Sequence, residues 1–367
     1  MNIVLLNLIM ATATNGVIPR RKSIKDTMIA NCAMGFVHNG HSVTILASEE
    51  FKPTEDETYD FKVVYFKSGF KRLFKPDLLP YPIGLRKYLK DNRDNIDMLV
   101  SSEVFSIGTL MAVTACSDKT VIWQEMAYHQ KKWFKLPSRL WHNLVVRTFM
   151  HGALVVPRSE PAMGFISRYC SNVSHETVDH GANGDVLKPV DAPDDSLIVM
   201  SRLTGLKNID YIFNAFSRLV AIPKYAAFRL HLIGEGDQAE HLKKLADSLH
   251  ISDNVVFHGF LRHSEVAHYL QHARAMLIAT HRDLNLVSIP EAIISGTPVV
   301  TNTNVTTASY ISEHGLGIVR DDWDESDLIE VIENYPLYHK ACLAVRDDLT
   351  REGSANKLLT IFLSSRK

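Results

Sequence analysis

Nowhere does this 367-residue chain string together the roughly 20 apolar residues that a bilayer-spanning helix needs. The apolar opening run, Met1 to Met10, is short and lacks a basic leader, so it reads as a buried first strand and not as a signal peptide. Cysteine is sparse: Cys32, Cys116, Cys170 and Cys342 are scattered, with no Cys-x-x-Cys pair. That spacing speaks against a disulfide framework or a zinc site and predicts buried free thiols in a reducing cytosol. Net charge is nearly absent at −1, which removes the electrostatic signature of a nucleic-acid partner. Internal repeats and low-complexity tracts are missing as well. The reading is of a cytoplasmic protein, at most peripheral on the inner face of a membrane.

What is present is ordinary globular composition, 46% apolar and 22% charged. A single core usually stops growing near about 250–300 residues, so two domains are expected. Short apolar runs alternate with helical patterns. "NIVLL", "HSVTILA", "FKVVYF", "DMLVSS", "KTVIWQ" and "GALVVP" read as strands, and "SIKDTMIANCAMGFVHNG" as a helix stopped by Gly40. The pattern starts afresh at "SLIVMSRL", after the Pro- and Asp-rich stretch 188–195. The fold class is therefore α/β, with parallel sheets covered on both faces. Domains are expected over 1–188 and 189–350. Residues 1–190 carry 23 Lys/Arg against 18 Asp/Glu, and the remainder 17 against 23, so the first half is the one suited to an anionic partner.

The most informative segment is "ATHRDLNLVSIPEAIISGTPVV", residues 279–300. A strand ends near Thr280, a loop follows, and Pro290 sits in a first helical turn, where its missing N–H costs nothing. Ser288 is the expected N-cap. Free amides at such a helix start suit an anion. Asp283 lies in the loop and Glu291 in the first turn, where a carboxylate can accept hydrogen bonds from a ribose diol. Read alone, both are equally at home as a turn residue and a first-turn acid.

This segment resembles the signature of glycosyltransferase family 4, an acid, seven intervening residues and a Glu followed by A-x-x-x-G-x-P-V; Asp283 stands where Glu is usual. "SRLTGLKNID" is similar to a second family segment, with Arg202 and Lys207 at the positions whose cations hold a donor diphosphate. "LIGEGDQAEHLKKLA" is a third match. It supplies Gly234 and Gly236, while Gly259 and Phe260 in "NVVFHGFL" border the base. The resemblance implies a GT-B fold, two Rossmann-like domains facing across a cleft, with a C-terminal helix in 351–367 crossing back to the first. It implies transfer of a sugar, with retention, from a nucleotide sugar (a UDP-sugar) to a hydroxyl of a glycan or lipid-linked acceptor in surface polysaccharide synthesis. Glu291 would take the ribose, the backbone of Leu286, Val287 and Ser288 the diphosphate, and Asp283 would lie beside the sugar. No metal or other cofactor is implied, and no Asp-x-Asp motif stands in a suitable loop. A UDP-sugar epimerase of the same fold and a non-catalytic nucleotide-sugar binder remain open.

The first half matches less. The family's glycine pair is missing from the loop "NLIMATATNGVIPRRKSIKD"; Arg20, Arg21 and Lys22 there are candidates for an acceptor or phosphate, or a solvated run. Near the family's catalytic His, this chain has Glu125, with His129 one turn on and Ser102 near another such position. Two stretches, 66–90 and 129–149, mix bases with aromatics, as surface helices on their own sheet do and as helices meeting an anionic membrane do.

Overall fold

The computed structural model describes residues 1–11, 17–25, 27–130, 135–282 and 287–366. The chain divides into two compact units, Met1–Gly181 with Arg351–Lys367, and Ala182–Thr350.

In the first unit the strands are β1 (Asn2–Leu6), β2 (Ser42–Ser48), β3 (Lys62–Phe66), a short hairpin β4 (Ser68–Gly69) and β5 (Tyr81–Pro82), β6 (Met98–Ser102), β7 (Thr120–Gln124) and β8 (Leu154–Pro157). Its helices are α1 (Met28–His38), α2 (Leu85–Asp91), α3 (Ile107–Cys116), α4 (Leu136–Leu140), which runs on as a π-helix over Trp141–Met150, and α5 (Glu160–Ile166). Six strands form one parallel sheet in the order β3-β2-β1-β6-β7-β8. β7 and β8 are buried at every residue. Helices on both faces of a parallel sheet make continuous apolar runs necessary there. α1 begins at Met28, inside the helical pattern of the sequence, because Thr27 caps it: its Oγ1 accepts the N–H of Ala30 at 3.3 Å.

The second unit repeats the plan with β9 (Ser196–Met200), β10 (Arg229–Ile233), β11 (Val255–Gly259), β12 (Ala275–Leu277), β13 (Val299–Thr301) and β14 (Gly317–Val319). All are parallel, in the order β11-β10-β9-β12-β13-β14. The helices are α6 (Ile209–Val220), α7 (Ala239–Ser248), α8 (His263–His272), α9 (Ser288–Ile294), α10 (Ala308–His314), α11 (Glu325–Glu333) and α12 (Tyr335–Leu349). α6 shows the logic of the packing: Ile209, Ile212, Phe213, Phe216 and Leu219 recur at helical spacing and enter one core with Leu197, Leu230 and Trp323.

Two boundaries need comment. The sequence places the division at 188/189, whereas the units part at 181/182. Ala182 and Leu187 are buried in the second unit's core with Ile198, Met276 and Ile293, and that burial draws the intervening segment with them. The last helix, α13 (Arg351–Ser364), belongs to the first unit, where Ala355, Leu358 and Phe362 share a core with Ile3, Phe36 and Val100. All four cysteines are buried and unbonded.

Candidate functional site

In an open parallel sheet, ligands bind beyond the carboxyl ends of the strands, where the strand order reverses. In the second unit that point lies between β9 and β12. The loops leaving these two strands carry the basic pair and the acidic segment singled out from the sequence.

The β9 exit is held by backbone hydrogen bonds to its neighbour. Ser201 N–H donates to the Ile233 carbonyl (3.1 Å), Leu203 N–H to Glu235 (2.9 Å), and Gln238 N–H to Leu203 (3.0 Å). Gly234 N–H in turn donates to the Gly259 carbonyl at 2.8 Å, so the exits of β9, β10 and β11 are joined in sequence. Such close approach explains the glycines. A Cβ on Gly234 or Gly236 would lie closer than 3.0 Å to the backbone of Ser201 or Leu203, and Gly234 also has φ +137°. Gly259 (φ +66°) ends β11, and Phe260 beside it is 76% exposed, an apolar ring facing solvent.

On the other side of β9, the turn Gly205–Lys207 meets the exit of β12. His281 N–H and Thr280 Oγ1 both donate to the Leu206 carbonyl, at 2.9 and 3.1 Å. Asn302 Nδ2 donates to the Thr280 carbonyl at 2.9 Å, which ties in the β13 exit. Arg202 is exposed, Lys207 half-buried, and Glu291 only 4% exposed within a wholly buried α9. Pro290 lies in the first turn, but Ser288 is not the N-cap. The helix already includes it, and Val287 takes the cap position without a side-chain bond. Asp283 and Leu286 fall outside the described residues.

In the first unit the corresponding reversal lies between β1 and β6. Glu125 follows β7 directly and its carboxylate receives Arg158 Nη1 at 2.7 Å. Arg158, which follows β8, is buried; its guanidinium stacks on Trp123 (4.8 Å) and reaches Asp179 Oδ1 at 3.2 Å. His180 Nδ1 lies 2.6 Å from Arg158 Nη2 and 2.7 Å from Asp179 Oδ1. Burial alone would raise the Asp179 pKa, but His180 and Arg158 hold it well below the usual carboxylate range. Sequence reasoning missed Arg158, Asp179, His180 and also Glu103, which follows β6. One signal was available: "LVSSE", "VIWQE" and "LVVPR" are successive buried strands that each end in a charge.

His129 occupies a different environment. Its Nδ1 meets Ser138 Oγ and its Nε2 meets Tyr169 Oη, both at 3.1 Å, inside an aromatic box with His142 and Phe165. Both ring nitrogens are thus engaged in structure. Ser102 is half-buried, and its carbonyl accepts from Thr109 Oγ1 at 3.2 Å. Arg20, Arg21 and Lys22 are exposed; Lys22 pairs with Glu55 at 3.6 Å, and Thr54 N–H donates to the Arg21 carbonyl at 3.0 Å.

Residues 185–337 match the family of glycosyl transferases group 1. Over 137 residues the chain is 29% identical to alpha-monoglucosyldiacylglycerol synthase of Streptococcus pneumoniae, a stretch covering 37% of this chain and 30% of that protein. The chain thus spans under a third of the length of that curated relative. Solved structures agree along the whole chain. A glycosyltransferase from Rickettsia africae gives a TM-score of 0.66 at 13% identity, covering 100% of this chain and 98% of the other. The Anabaena protein HepE in complex with UDP gives 0.67 at 14%, covering 100% of both. The fold is GT-B, and the segment of the second unit that resembles the group 1 glycosyl transferases contains the β9 exit and α9.

Proposed function

We propose that the protein moves a sugar from a nucleotide sugar, a UDP-sugar, to a hydroxyl of a lipid-linked acceptor, with retention at the anomeric carbon. The observation that carries this reading is the junction at Leu206, where the turn bearing Lys207 and the loop leading to Glu291 are joined at the strand-order reversal of the second sheet. Arg202 and Lys207 there would neutralise charge growing on the leaving diphosphate, which removes the need for a metal. Glu291 would accept from the ribose hydroxyls, with Asp283 beside the donor sugar. Glu125 is the first unit's candidate to face the reacting sugar, because its carboxylate is half-exposed while Arg158 orients it. The UDP-bound Anabaena structure and the name of the streptococcal synthase support the donor and the lipid acceptor respectively.

Incubation with labelled UDP-sugars and glycerolipid or polyprenyl-linked acceptors tests the reading. Labelled glycolipid is expected; epimerised free sugar, or binding without turnover, would overturn it. Hydrogen bonds to charged groups are worth about 1.5–3 kcal/mol. Lys207→Ala and Glu291→Ala should therefore each weaken UDP binding by at least about tenfold, as read by calorimetry. Unchanged affinity in both would remove the assignment.

A lipid acceptor would require an interfacial face, and α4 supports one. Leu136, Leu140 and Leu144, four residues apart, are 57%, 51% and 63% exposed, with Phe149 beyond them. Lys135, Arg139 and Arg147 are exposed on the same segment, and residues 135–150 contain no acid. Phe70 and Leu73 are likewise exposed beside Lys71 and Arg72. Apolar groups entering the interface with flanking cations would hold the protein on an anionic leaflet. No helix among the described residues is long and apolar enough to cross a membrane. Wild type should co-sediment with phosphatidylglycerol vesicles. Binding should fall severalfold when Lys71, Arg72 and Lys75 are neutralised, and further in Leu140→Glu with Leu144→Glu. A wild type that leaves such vesicles in the supernatant rules the face out.

A further inference from the structure

Glu103 is the residue that the proposed chemistry leaves without a task. It follows β6, at the reversal of strand order in the first sheet, where a ligand of that sheet would sit. Its φ is +66°, a left-handed backbone that costs a glutamate about 1–2 kcal/mol. Such strain persists only where the surroundings over-determine it, and it clusters at functional sites. Here the surroundings are explicit. Glu103 N–H donates to the Trp123 carbonyl (3.2 Å), and the Glu103 carbonyl accepts from Thr109 Oγ1 (2.6 Å). Its carboxylate receives two amides of the β7 exit: Oε1 from Glu125 at 2.7 Å and from Met126 at 3.1 Å, with Oε2 at 3.3 Å from the latter.

We infer that Glu103 is a positioning residue: by gripping the amides of Glu125 and Met126 it sets where the Glu125 carboxylate stands against Arg158. The inference rests on the proposed transfer reaction and on Glu125 facing the reacting sugar. The strained backbone is what aims the carboxylate back at the next strand's exit.

The clamp is sensitive to protonation. Burial, with the Glu125 charge added, raises the Glu103 pKa to about 7, against the two amides and the Arg158 guanidinium, which lower it. Among the described residues, Asp179, His180 and Cys32, whose thiol burial pushes up to about 12, also face Arg158. A charged carboxylate is the stronger acceptor, so the clamp tightens above pH 7.

Three variants test this. Glu103→Gln keeps an acceptor oxygen but cannot ionise. The wild-type kcat should rise through pH 7 and that of Glu103→Gln should not, while KM for the donor stays within twofold. Glu103→Gly accepts φ +66° freely, which offsets part of the stability lost with the two amide bonds; it should still fold, yet lose at least about tenfold in kcat because the clamp is gone. Glu103→Asp is too short to hold both amides and should lie between. A glycine variant with wild-type kcat, or a glutamine variant that keeps the limb near pH 7, overturns the inference.

A readout independent of activity separates this from failure of the transfer reading. With a raised carboxyl pKa, the native state holds more protons than the unfolded chain between the ordinary value and about 7, so stability is lost as pH rises through that window. The wild-type melting temperature should therefore fall relative to Glu103→Gln between pH 5 and 8. That shift reports the buried carboxyl; the clamp itself is read by hydrogen exchange at the Glu125 and Met126 amides, which should quicken in Glu103→Gly. If they quicken but no donor yields product, the clamp stands and the transfer reading fails; if they do not quicken while the enzyme is active, the clamp fails alone.

Discussion

Arg158→Met is expected to cost on the order of 3–5 kcal/mol of stability, the range found when one partner of a buried ion pair is removed. The guanidinium is buried, stacked on Trp123, and shared between Asp179 and Glu125. The Glu125 side chain is 53% exposed and solvent screens it, so little of the loss comes from that arm. Asp179 is 25% exposed and carries most of it. Its pKa is held below the ordinary value, so the stability it contributes is present above that value and is lost as pH falls through the native one. The variant's deficit should thus be full at pH 7 and shrink as the pH drops below about 4. Urea unfolding across that range checks both statements, and a deficit under about 1 kcal/mol at pH 7 would mean that Arg158 is replaceable packing.

Gly236→Ala should be a strongly damaging single-methyl change in the second unit. The added carbon would fall closer than 3.0 Å to three backbone atoms of Leu203, and backbone cannot swing aside as a flexible side chain can. The loss should exceed the ~1–3 kcal/mol usual for an overpacked core. It should appear as a lower melting temperature together with at least about tenfold weaker UDP binding, because the β9 exit that carries Arg202 is displaced. Gly205→Ala is the matched control: nothing lies within 4 Å of its Cβ position, and it should behave as wild type. Equal UDP affinity in the two variants would detach the glycine turns from the nucleotide site.

The second unit was the more legible half, for a physical reason. Its candidate site is made by strand exits in which glycine, proline and charge stand close together in sequence, and Gly234, Gly236 and Gly296 each answer a local backbone demand. Gly296, at φ +77°, leaves room for the His339 ring, whose Nδ1 lies 2.7 Å from its carbonyl oxygen. The first unit's charged cluster is assembled from Glu103, Glu125, Arg158, Asp179 and His180, which share no local motif and meet only through sheet order. His129 is a candidate in the sequence because it lies one turn beyond the position near which the resembled family carries a His. No local pattern announces that Ser138 and Tyr169 occupy its two nitrogens. The boundary moved because Leu187 is buried, which the Pro- and Asp-rich run beside it conceals.

One consequence of the topology concerns the order in which the protein is made. Gly35 in α1 lies so near the Arg351 carbonyl that a Cβ there would overlap it, and Phe362 seals the same core as Ile3 and Phe36. A ribosome therefore delivers the finishing pieces of the first unit only after the whole of the second has emerged. During translation the second unit can close on itself while the first waits with an open apolar flank. A nascent chain of this kind is a client for chaperones that shield hydrophobic surface, and a stop codon just before α13 would be felt most in the half of the protein farthest from it in sequence.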